Sequence, residues 1–409
     1  MHRFLKTYSP TIILGFFFLL GVLILLKFIP EGFIPLDQRG IFWRFAYEPM
    51  MNLEGRTLEY PIGAWMFFKS ITFPAYFLKN FFSNPWGAYH FSFSFIISLF
   101  YLATWITTLV WLKFQTIKKQ LLLGGTFILF FIIANPFLIL STFDFVPTFF
   151  AFLSLFLFQK DKYIPNAILL ALATTVKWFP GVLLPIFIIY LLQNKLRKKE
   201  QTPSRNTKEL LKYLFSYTAT IIFIILIGSI FVPLNIQGGS LLYHTDRGIH
   251  NESLYGNAFD IIASNSEKYL IDLNYGSLNI EGPGINNVLP FIFPIMILGL
   301  LFVYYRSYKN KNNIVHYSLL AILIFILLNK VLSPQFLFWL IPFVIYFVLQ
   351  AVIWVALAIL VILYPQALVI LAAIFFFILS VVSLFLAFVV IKYVKKLKKV
   401  KDLLSGDFK

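Results

Sequence analysis

The chain of 409 residues has no cysteine and few charged residues, and each shortage removes a class of function. Without cysteine there is no disulfide, no thiolate nucleophile and no cysteine-ligated zinc or iron–sulfur site. Only 12% of the residues are charged, whereas 60% are hydrophobic, and soluble chains have about a quarter of charged residues. A soluble fold of this length could not bury so much apolar surface, so we expect an integral membrane protein.

The few charges are mostly basic, with a formal net charge of +17. They lie in short runs beside hydrophobic segments, as in Lys195–Lys199 and Lys392–Lys401. Basic flanks of this kind mark the cytoplasmic side of a membrane and contact lipid headgroups. The charge therefore favours a membrane topology over nucleic-acid binding.

The first apolar segment covers about residues 10–29. It is longer than the hydrophobic region of a usual signal peptide, and no Ala-x-Ala-like cleavage site follows it. We expect a retained membrane span, preceded by a basic cytoplasmic N-terminus.

The hydrophobic pattern predicts an all-α polytopic membrane protein with about 12 transmembrane helices (a range of about 10–13), since each span needs about 20 apolar residues. Residues 1–409 form a single integral membrane domain with both termini in the cytoplasm. Two larger extracytoplasmic loops are expected: residues 30–85, with helices lying along the membrane interface, and residues 234–287. Residues 392–409 are expected to form a basic cytoplasmic tail.

One apolar stretch, about residues 165–193, has basic residues near both ends and is interrupted by Lys177-Trp178-Phe179-Pro180. Because both ends are cytoplasmic, the stretch must turn round at the interruption, as two short crossings or a re-entrant pair. Irregular backbone at that depth is tolerated only inside protein or beside water.

With this topology the ionisable residues collect at the outer face, although they come from six separate parts of the chain. Ionisable groups at membrane depth are costly and usually face a cavity or a partner. The sequence therefore predicts a single outward-facing pocket formed by Asp37, Glu59, Asp144, Lys177, His244, Asp246, Arg247, His250, Glu252 and Lys330.

Several short motifs resemble those of membrane-embedded GT-C glycosyltransferases, in particular the polyprenol-phosphate-mannose-dependent mannosyltransferase group. Tyr243–Ser253 contains an Arg-Gly-x-x-x-Glu-Ser pattern. Four further matches follow the order of that family: Glu59-Tyr60-Pro61, Phe143-Asp144-x-x-Pro147, Lys177-Trp178-Phe179-Pro180 and Ser333-Pro334-Gln335-Phe336-Leu337-Phe338-Trp339. The resemblance extends over roughly residues 30–345.

The resemblance implies a GT-C-like fold and transfer of a hexose, with mannose the first guess. The donor would be a polyprenyl-phosphate sugar, and the acceptor a hydroxyl of a glycolipid, glycan or protein outside the cytoplasm. A plasma membrane of a microbe is the expected location. No cofactor or metal is implied, because the lipid-phosphate sugar is itself a substrate.

An acceptor hydroxyl is a weak nucleophile, so a carboxylate must take its proton. Asp37 of the first outer loop is the predicted base; the other interpretation is a solvated residue or an ion pair with Arg39. Preorganised cations stabilise the phosphate that leaves. The predicted donor-phosphate-binding residues are Arg247, Lys177, His244 and Lys330.

Each cation also has a structural interpretation. Arg247 could form a local ion pair with Asp246 or Glu252, and the two lysines could extend to the interface. Asp144 could bind sugar hydroxyls or simply pair with Lys177. The residues predicted to bind or orient substrate are Asp144, Glu59, Tyr60, Asp246, His250, Glu252 and Gln335.

Two other functions are compatible with the sequence. A secondary transporter or a flippase of lipid-linked sugars would have polar residues near the bilayer midplane, often with inverted repeats. A polymerase or ligase of surface polysaccharide would share the outward loops and basic residues. The clustering of charges at one face favours an enzyme over a transporter.

Overall fold

The computed structural model describes residues 2–28, 39–47, 59–197, 203–233, 237, 239–263, 270–274, 277–310 and 313–347. The predicted base Asp37, the last two predicted membrane crossings and the tail from residue 392 lie outside the described residues.

Most of the described chain is helical. The helices are α1 (His2–Phe28), α2 (Arg39–Tyr47), α3 (Ile62–Leu78), α4 (Pro85–Leu112), α5 (Ile117–Ile133), α6 (Pro136–Ser141), α7 (Phe145–Gln159), α8 (Tyr163–Val176), α9 (Leu184–Arg197), α10 (Pro203–Ser229), α11 (Gly239–Asp246), α12 (Leu254–Ala263), α13 (Ile285–Lys309), α14 (Ile314–Leu327) and α15 (Ile341–Tyr346). Short 3-10 turns occur at Lys79–Phe81, Phe179–Leu183 and Pro334–Trp339.

Four helices of the described chain are long and apolar enough to cross a membrane. They contain the spans Tyr8–Lys27, Pro85–Leu112, Thr207–Ser229 and Ile285–Lys309. Several shorter apolar helices, among them α7, α8 and α14, pack between them. The prediction of a helical membrane protein is confirmed, whereas the number of about 12 crossings stays a prediction.

The predicted interruption at Lys177 is confirmed. Helix α8 ends at Val176, Lys177 is extended, and a 3-10 turn leads into α9. Pro180 has no amide hydrogen to donate to a preceding carbonyl, which disfavours a continuous helix here. The stretch thus forms two helices joined by a turn, and this turn carries Lys177 to the end of α8.

The two ends of the helix bundle differ in their polar residues. We define the polar end as the end at which α7 begins and α8 ends. At the opposite end, which we call the basic end, α4 and α7 end together and Trp111 Nε1 donates to Gln159 Oε1 at 2.8 Å. The exposed charges near the basic end are mostly cationic and include Lys113, Lys118, Lys119, Lys160, Lys162, Arg306 and Lys309.

Close packing fixes the start of α3 against the polar end. A Cβ atom on Gly63 would lie 2.6 Å from the carbonyl oxygen of Thr175 in α8, so only glycine fits without displacement. Similarly, a Cβ atom on Gly228 near the end of α10 would lie 2.3 Å from a carbon of Ile62. These contacts hold Glu59 and Tyr60, which directly precede α3, near Lys177.

The long loop at residues 234–287 contains a small folded unit that the sequence did not predict. Besides α11 and α12 it has three antiparallel strands in the order β1-β3-β2, namely β1 (Ile249–His250), β2 (Leu270–Asn274) and β3 (Ser277–Glu281). His250 pairs with Asn279 across β1 and β3. The described chain is therefore helical, as predicted, with one small sheet that was not predicted.

Candidate functional site

Asp144 and Lys177 form a buried ion pair at the polar end. Lys177 Nζ lies 2.6 Å from Asp144 Oδ1, and the side chains are 13% and 0% exposed. The indole nitrogen of Trp339 donates to the same oxygen at 2.6 Å. Three parts of the chain that are far apart in sequence thus meet at one carboxylate oxygen.

Aromatic rings surround the Lys177 ammonium. Its nitrogen lies 4.9 Å from the ring centre of Phe143, 5.1 Å from that of Phe336 and 5.2 Å from that of Trp339. Trp339 stacks on Phe179, with ring centres 3.9 Å apart. Cation–π contacts of this kind stabilise a desolvated ammonium. The alternative interpretation, in which Lys177 only extends to the interface, does not fit this arrangement.

Arg247 is positioned by strand β3. Its Nε donates to Ser277 Oγ at 3.0 Å, and Ser277 Oγ donates to Asn279 Oδ1 at 3.0 Å. Both partners are buried. This bond uses Nε, and a guanidinium group has two further nitrogens with the geometry to bind an anion bidentately.

The sequence suggested two acidic partners for Arg247 that the structure does not bring to it. Among the described residues Arg247 forms no ion pair with Asp246 or Glu252. Asp246 is exposed and accepts from Thr245 Oγ1 at 3.2 Å, and burial raises the pKa of Glu252. Ser277, rather than Glu252, orients the arginine.

Lys330 supports the turn that carries Arg247. Its ammonium donates to the carbonyl oxygens of Thr245, at 2.9 Å, and of Arg247. The Lys330 carbonyl in turn accepts from the amide of His250 at 2.9 Å. Two of the three ammonium hydrogens are thus used, which favours a positioning role for Lys330 over the predicted contact with phosphate.

Glu59 lies within reach of the cations. Burial raises its pKa, while the charge of Arg247, hydrogen bonds from Tyr243 and Tyr60, and the charge of Lys177 act in the opposite direction. Tyr60, which follows Glu59 in the chain, is another predicted site residue. Burial and then the charge of Glu59 raise the pKa of Tyr60 well above its ordinary value. A carboxyl group with a raised pKa beside an arginine is a feature of functional sites.

Both predicted histidines are weak bases. Desolvation, followed by the positive charges of Arg247, Lys177 and Lys330, lowers the pKa of His244 to about 4, although this side chain keeps an exposed surface. Burial and then Arg247 lower the pKa of His250 to about 4, against a backbone hydrogen bond with Leu332 that raises it. Both imidazoles are therefore neutral near pH 7, so they add no positive charge to the site.

Gln335 is buried, and its Oε1 accepts from Ser333 Oγ at 2.9 Å. The side-chain oxygen is therefore used within the turn. Asp37 lies outside the described residues, so its place relative to Arg247 stays a prediction. Arg39, two residues later, is buried at the start of α2 and donates to Ser94 Oγ at 3.0 Å.

Four buried or half-buried residues near the polar end were not predicted as site residues: Trp339, Tyr243, Ser277 and Thr142. Trp339 and Tyr243 lie within motifs that the sequence analysis singled out, so their proximity to the predicted residues was a usable signal. Ser277 carries no such signal, because only the pairing of β1 with β3 brings it to Arg247. Thr142 directly precedes Phe143, and its burial is a tertiary property.

Chemically, the arrangement suits an anion. Lys177, Arg247 and Lys330 lie near one another, and the charge of each contributes to the lowered pKa of His244. In the described residues no group of three histidine, aspartate or glutamate side chains could hold a metal ion. The absence of a metal from the predicted mechanism stays an expectation.

A family model described as GPI transamidase subunit PIG-U matches residues 113–238. Among curated proteins none matches the chain. The matched segment contains Asp144 and Lys177 but ends before Arg247 and does not include Glu59 or Lys330. Over less than half of its length, the chain is therefore similar to a family of membrane-protein subunits.

Proposed function

We propose that the chain transfers a hexose from a polyprenyl-phosphate carrier to an acceptor hydroxyl. One feature carries the proposal: Lys177 and Arg247, two cations from distant parts of the chain, both lie close enough to the half-buried Glu59 for their charges to lower the pKa of its carboxyl group. A glycosyl transfer needs these two elements together, a cationic site for the leaving phosphate and a carboxylate for the acceptor proton.

In the proposed reaction the acceptor oxygen forms a bond to the anomeric carbon while the bond from that carbon to the phosphate oxygen breaks. The acceptor proton goes to a carboxylate, and the negative charge goes to the lipid phosphate beside Arg247. Asp37 is the proposed base. Glu59 is a second candidate for that role, since its raised pKa makes it a better proton acceptor than an ordinary carboxylate.

One contact supports a base in the first loop. Arg39, two residues after Asp37, donates to Ser94 Oγ, and the Ser94 hydroxyl donates to the carbonyl oxygen of Leu140 at 2.9 Å. Leu140 lies four residues before Asp144. The loop segment that starts α2 is thus tied to the link that carries the buried aspartate.

The site is proposed to face away from the cytoplasm, in the plasma membrane of a microbe. The exposed cations of the basic end support this orientation, because basic residues are retained on the cytoplasmic side. Mannose is the first sugar to test.

The match to a subunit family favours a second candidate function. In that case the chain binds a lipid-linked glycan within a membrane complex and performs no transfer itself. The polar end would then hold the lipid phosphate for an enzyme supplied by another chain.

Purified protein in lipid nanodiscs, given labelled polyprenyl-phosphate hexose and candidate acceptors, distinguishes the two. We expect a labelled glycoside from the wild type and none from Arg247→Ala or Asp37→Asn, with Glu59→Gln testing the second base. Arg306→Ala, at the exposed end of α13, is the matched control and should keep full activity. Binding of the lipid without product would favour the subunit, and unchanged activity of Arg247→Ala would refute the site.

A further inference from the structure

Among the buried polar atoms that have no hydrogen-bond partner in the described residues, two lie on either side of Phe143. They are Thr142 Oγ1 and Asp144 Oδ2, and both residues are 0% exposed. Within the described residues neither atom has a donor or acceptor in reach. A buried polar atom without a hydrogen bond is unfavourable, and water or a ligand can complete it.

The two residues flank Phe143 in the link between α6 and α7. Thr142 has an extended backbone (φ −118°, ψ 155°), whereas Asp144 already has helical backbone angles (φ −60°, ψ −27°). Phe143 packs among rings, with its centre 5.3 Å from Phe42 and 5.1 Å from Phe68. The Phe143 ring is thus taken up by aromatic packing, while the two residues beside it carry the unpartnered oxygens.

Thr142 differs from other buried threonines of the chain. The hydroxyls of Thr108 and Thr148 donate to carbonyl oxygens of the preceding turn, at 2.9 Å and 2.7 Å. Thr142 has no such acceptor because it follows the end of α6. Its hydroxyl therefore has no partner among the described residues, although Thr142 is completely buried.

Only one of the two carboxylate oxygens of Asp144 accepts hydrogen bonds from described residues. Lys177 and Trp339 both donate to Oδ1, which fixes the carboxylate plane and leaves Oδ2 as an acceptor. A carboxylate oxygen cannot bind another anion, so the carrier phosphate does not fit here. A neutral hydroxyl group fits, because it donates to Oδ2 and can accept from the threonine.

We propose that Thr142 and Asp144 form a subsite for a hydroxyl group of the transferred sugar, while Arg247 faces the carrier phosphate. This inference rests on the proposed function. It assigns the two halves of the donor to separate groups, the sugar to the link between α6 and α7 and the phosphate to the turn held by β3.

The test compares donors and variants in nanodiscs. Polyprenyl-phosphate hexose is set against sugar-free polyprenyl phosphate and a panel of monodeoxy hexose donors. Thr142→Val removes the hydroxyl at constant shape, and Asp144→Asn keeps an oxygen for Lys177 while replacing Oδ2 by an amide donor. Thr108→Val, a buried threonine with a satisfied hydroxyl, is the matched control.

We expect Thr142→Val to raise the KM for the hexose donor about ten-fold and to leave binding of the sugar-free lipid unchanged. With the wild type, one of the deoxy donors should show a KM raised by about the same factor. With Thr142→Val, removing that hydroxyl from the donor should raise the KM no further, since the same hydrogen bond is already absent. Asp144→Asn should show the same pattern if the variant folds.

Two results would overturn the subsite. If the wild type transfers the sugar but Thr142→Val behaves as Thr108→Val with every donor, the subsite is wrong and the proposed function stands. If the wild type binds sugar-bearing and sugar-free lipids equally and forms no product, both proposals fail.

Discussion

The two ends of the helix bundle use their polar residues differently. At the basic end the lysines and arginines are exposed, and most charges have one sign. At the polar end acids and bases are brought together from distant segments, and Asp144 is completely buried. The comparison teaches that the number of charges does not identify a site; burial and mixed sign do.

The cost of burial explains this difference. An exposed lysine is solvated and contributes little to stability, whereas a buried ion pair must compensate for the loss of water. Lys177 and Asp144 achieve this with a short contact, an indole donor and three rings around the ammonium. Such an arrangement is better explained by function than by topology, because topology needs only exposed charge.

The largest expected effect comes from breaking the buried pair. Lys177→Met leaves Asp144 as an unpaired buried charge, which should cost about 3–5 kcal/mol. Thermal unfolding in detergent, followed by size-exclusion chromatography, should show a clear loss of folded protein. Lys160→Met at the basic end is the control, and an equal effect of both variants would contradict the comparison.

The second-largest effect is expected from a steric change at the start of α3. Gly63→Ala places a methyl group 2.6 Å from the carbonyl oxygen of Thr175, and the shift that relieves this contact should cost about 1–3 kcal/mol. Because Glu59 lies just before α3, lipid-phosphate binding should weaken as well. Gly125→Ala in α5 meets no atom within 4 Å and should leave the unfolding temperature and binding unchanged.

A smaller effect is expected from removing the hydroxyl group of Ser277 that accepts from Arg247. Ser277→Ala removes the acceptor of Nε and should weaken binding of polyprenyl phosphate about five- to ten-fold, a loss of about 1 kcal/mol. Ser229→Ala is a fair comparison, because its hydroxyl is exposed and bonds only Leu226 of its own helix. Equal affinities in the two variants would show that Ser277 does not position the arginine.

The smallest expected effect is the pH dependence of binding. His244 and His250, with pKa values lowered to about 4, stay neutral from about pH 5 to pH 8 and should produce no inflection there. Glu59 has a raised pKa, so it loses its negative charge as the pH falls through that value. Affinity for the anionic lipid should then rise modestly toward low pH.

Glu59→Gln is the control for this assignment, since it removes the titrating carboxyl. Its affinity for sugar-free polyprenyl phosphate should vary less with pH than that of the wild type. An inflection near pH 6.5 that disappears in His250→Gln would contradict the neutral histidines.

Much of the fold could be predicted from hydrophobic runs and their flanking charges. The span predicted at about residues 10–29 lies in α1, and the turn at Lys177 is where the charge pattern required it. These predictions succeed because a membrane helix must satisfy its backbone internally and its length is set by the bilayer. The sheet at residues 249–281 was missed, since its strands are short and pair across a helix.

The candidate site could be predicted in part. Motif residues such as Asp144, Lys177 and Arg247 were identified individually, because charged residues are rare in this chain. Their partners were harder to predict: Asp246 and Glu252 were considered as ion-pair partners of Arg247, whereas its Nε donates to Ser277. Lys330 was expected to meet phosphate, but it bonds backbone carbonyls.

The sequence by itself determined the class of the protein, the helical nature of its apolar segments and the short set of residues able to do ionic chemistry. Composition and periodicity carry that information because the membrane imposes it on every residue. Only the tertiary structure decided which charged groups lie close together, which form hydrogen bonds with backbone groups and which polar atoms have no partner among the described residues. Those outcomes depend on contacts between segments far apart in the chain, such as Asp144 with Trp339, and no local pattern encodes them.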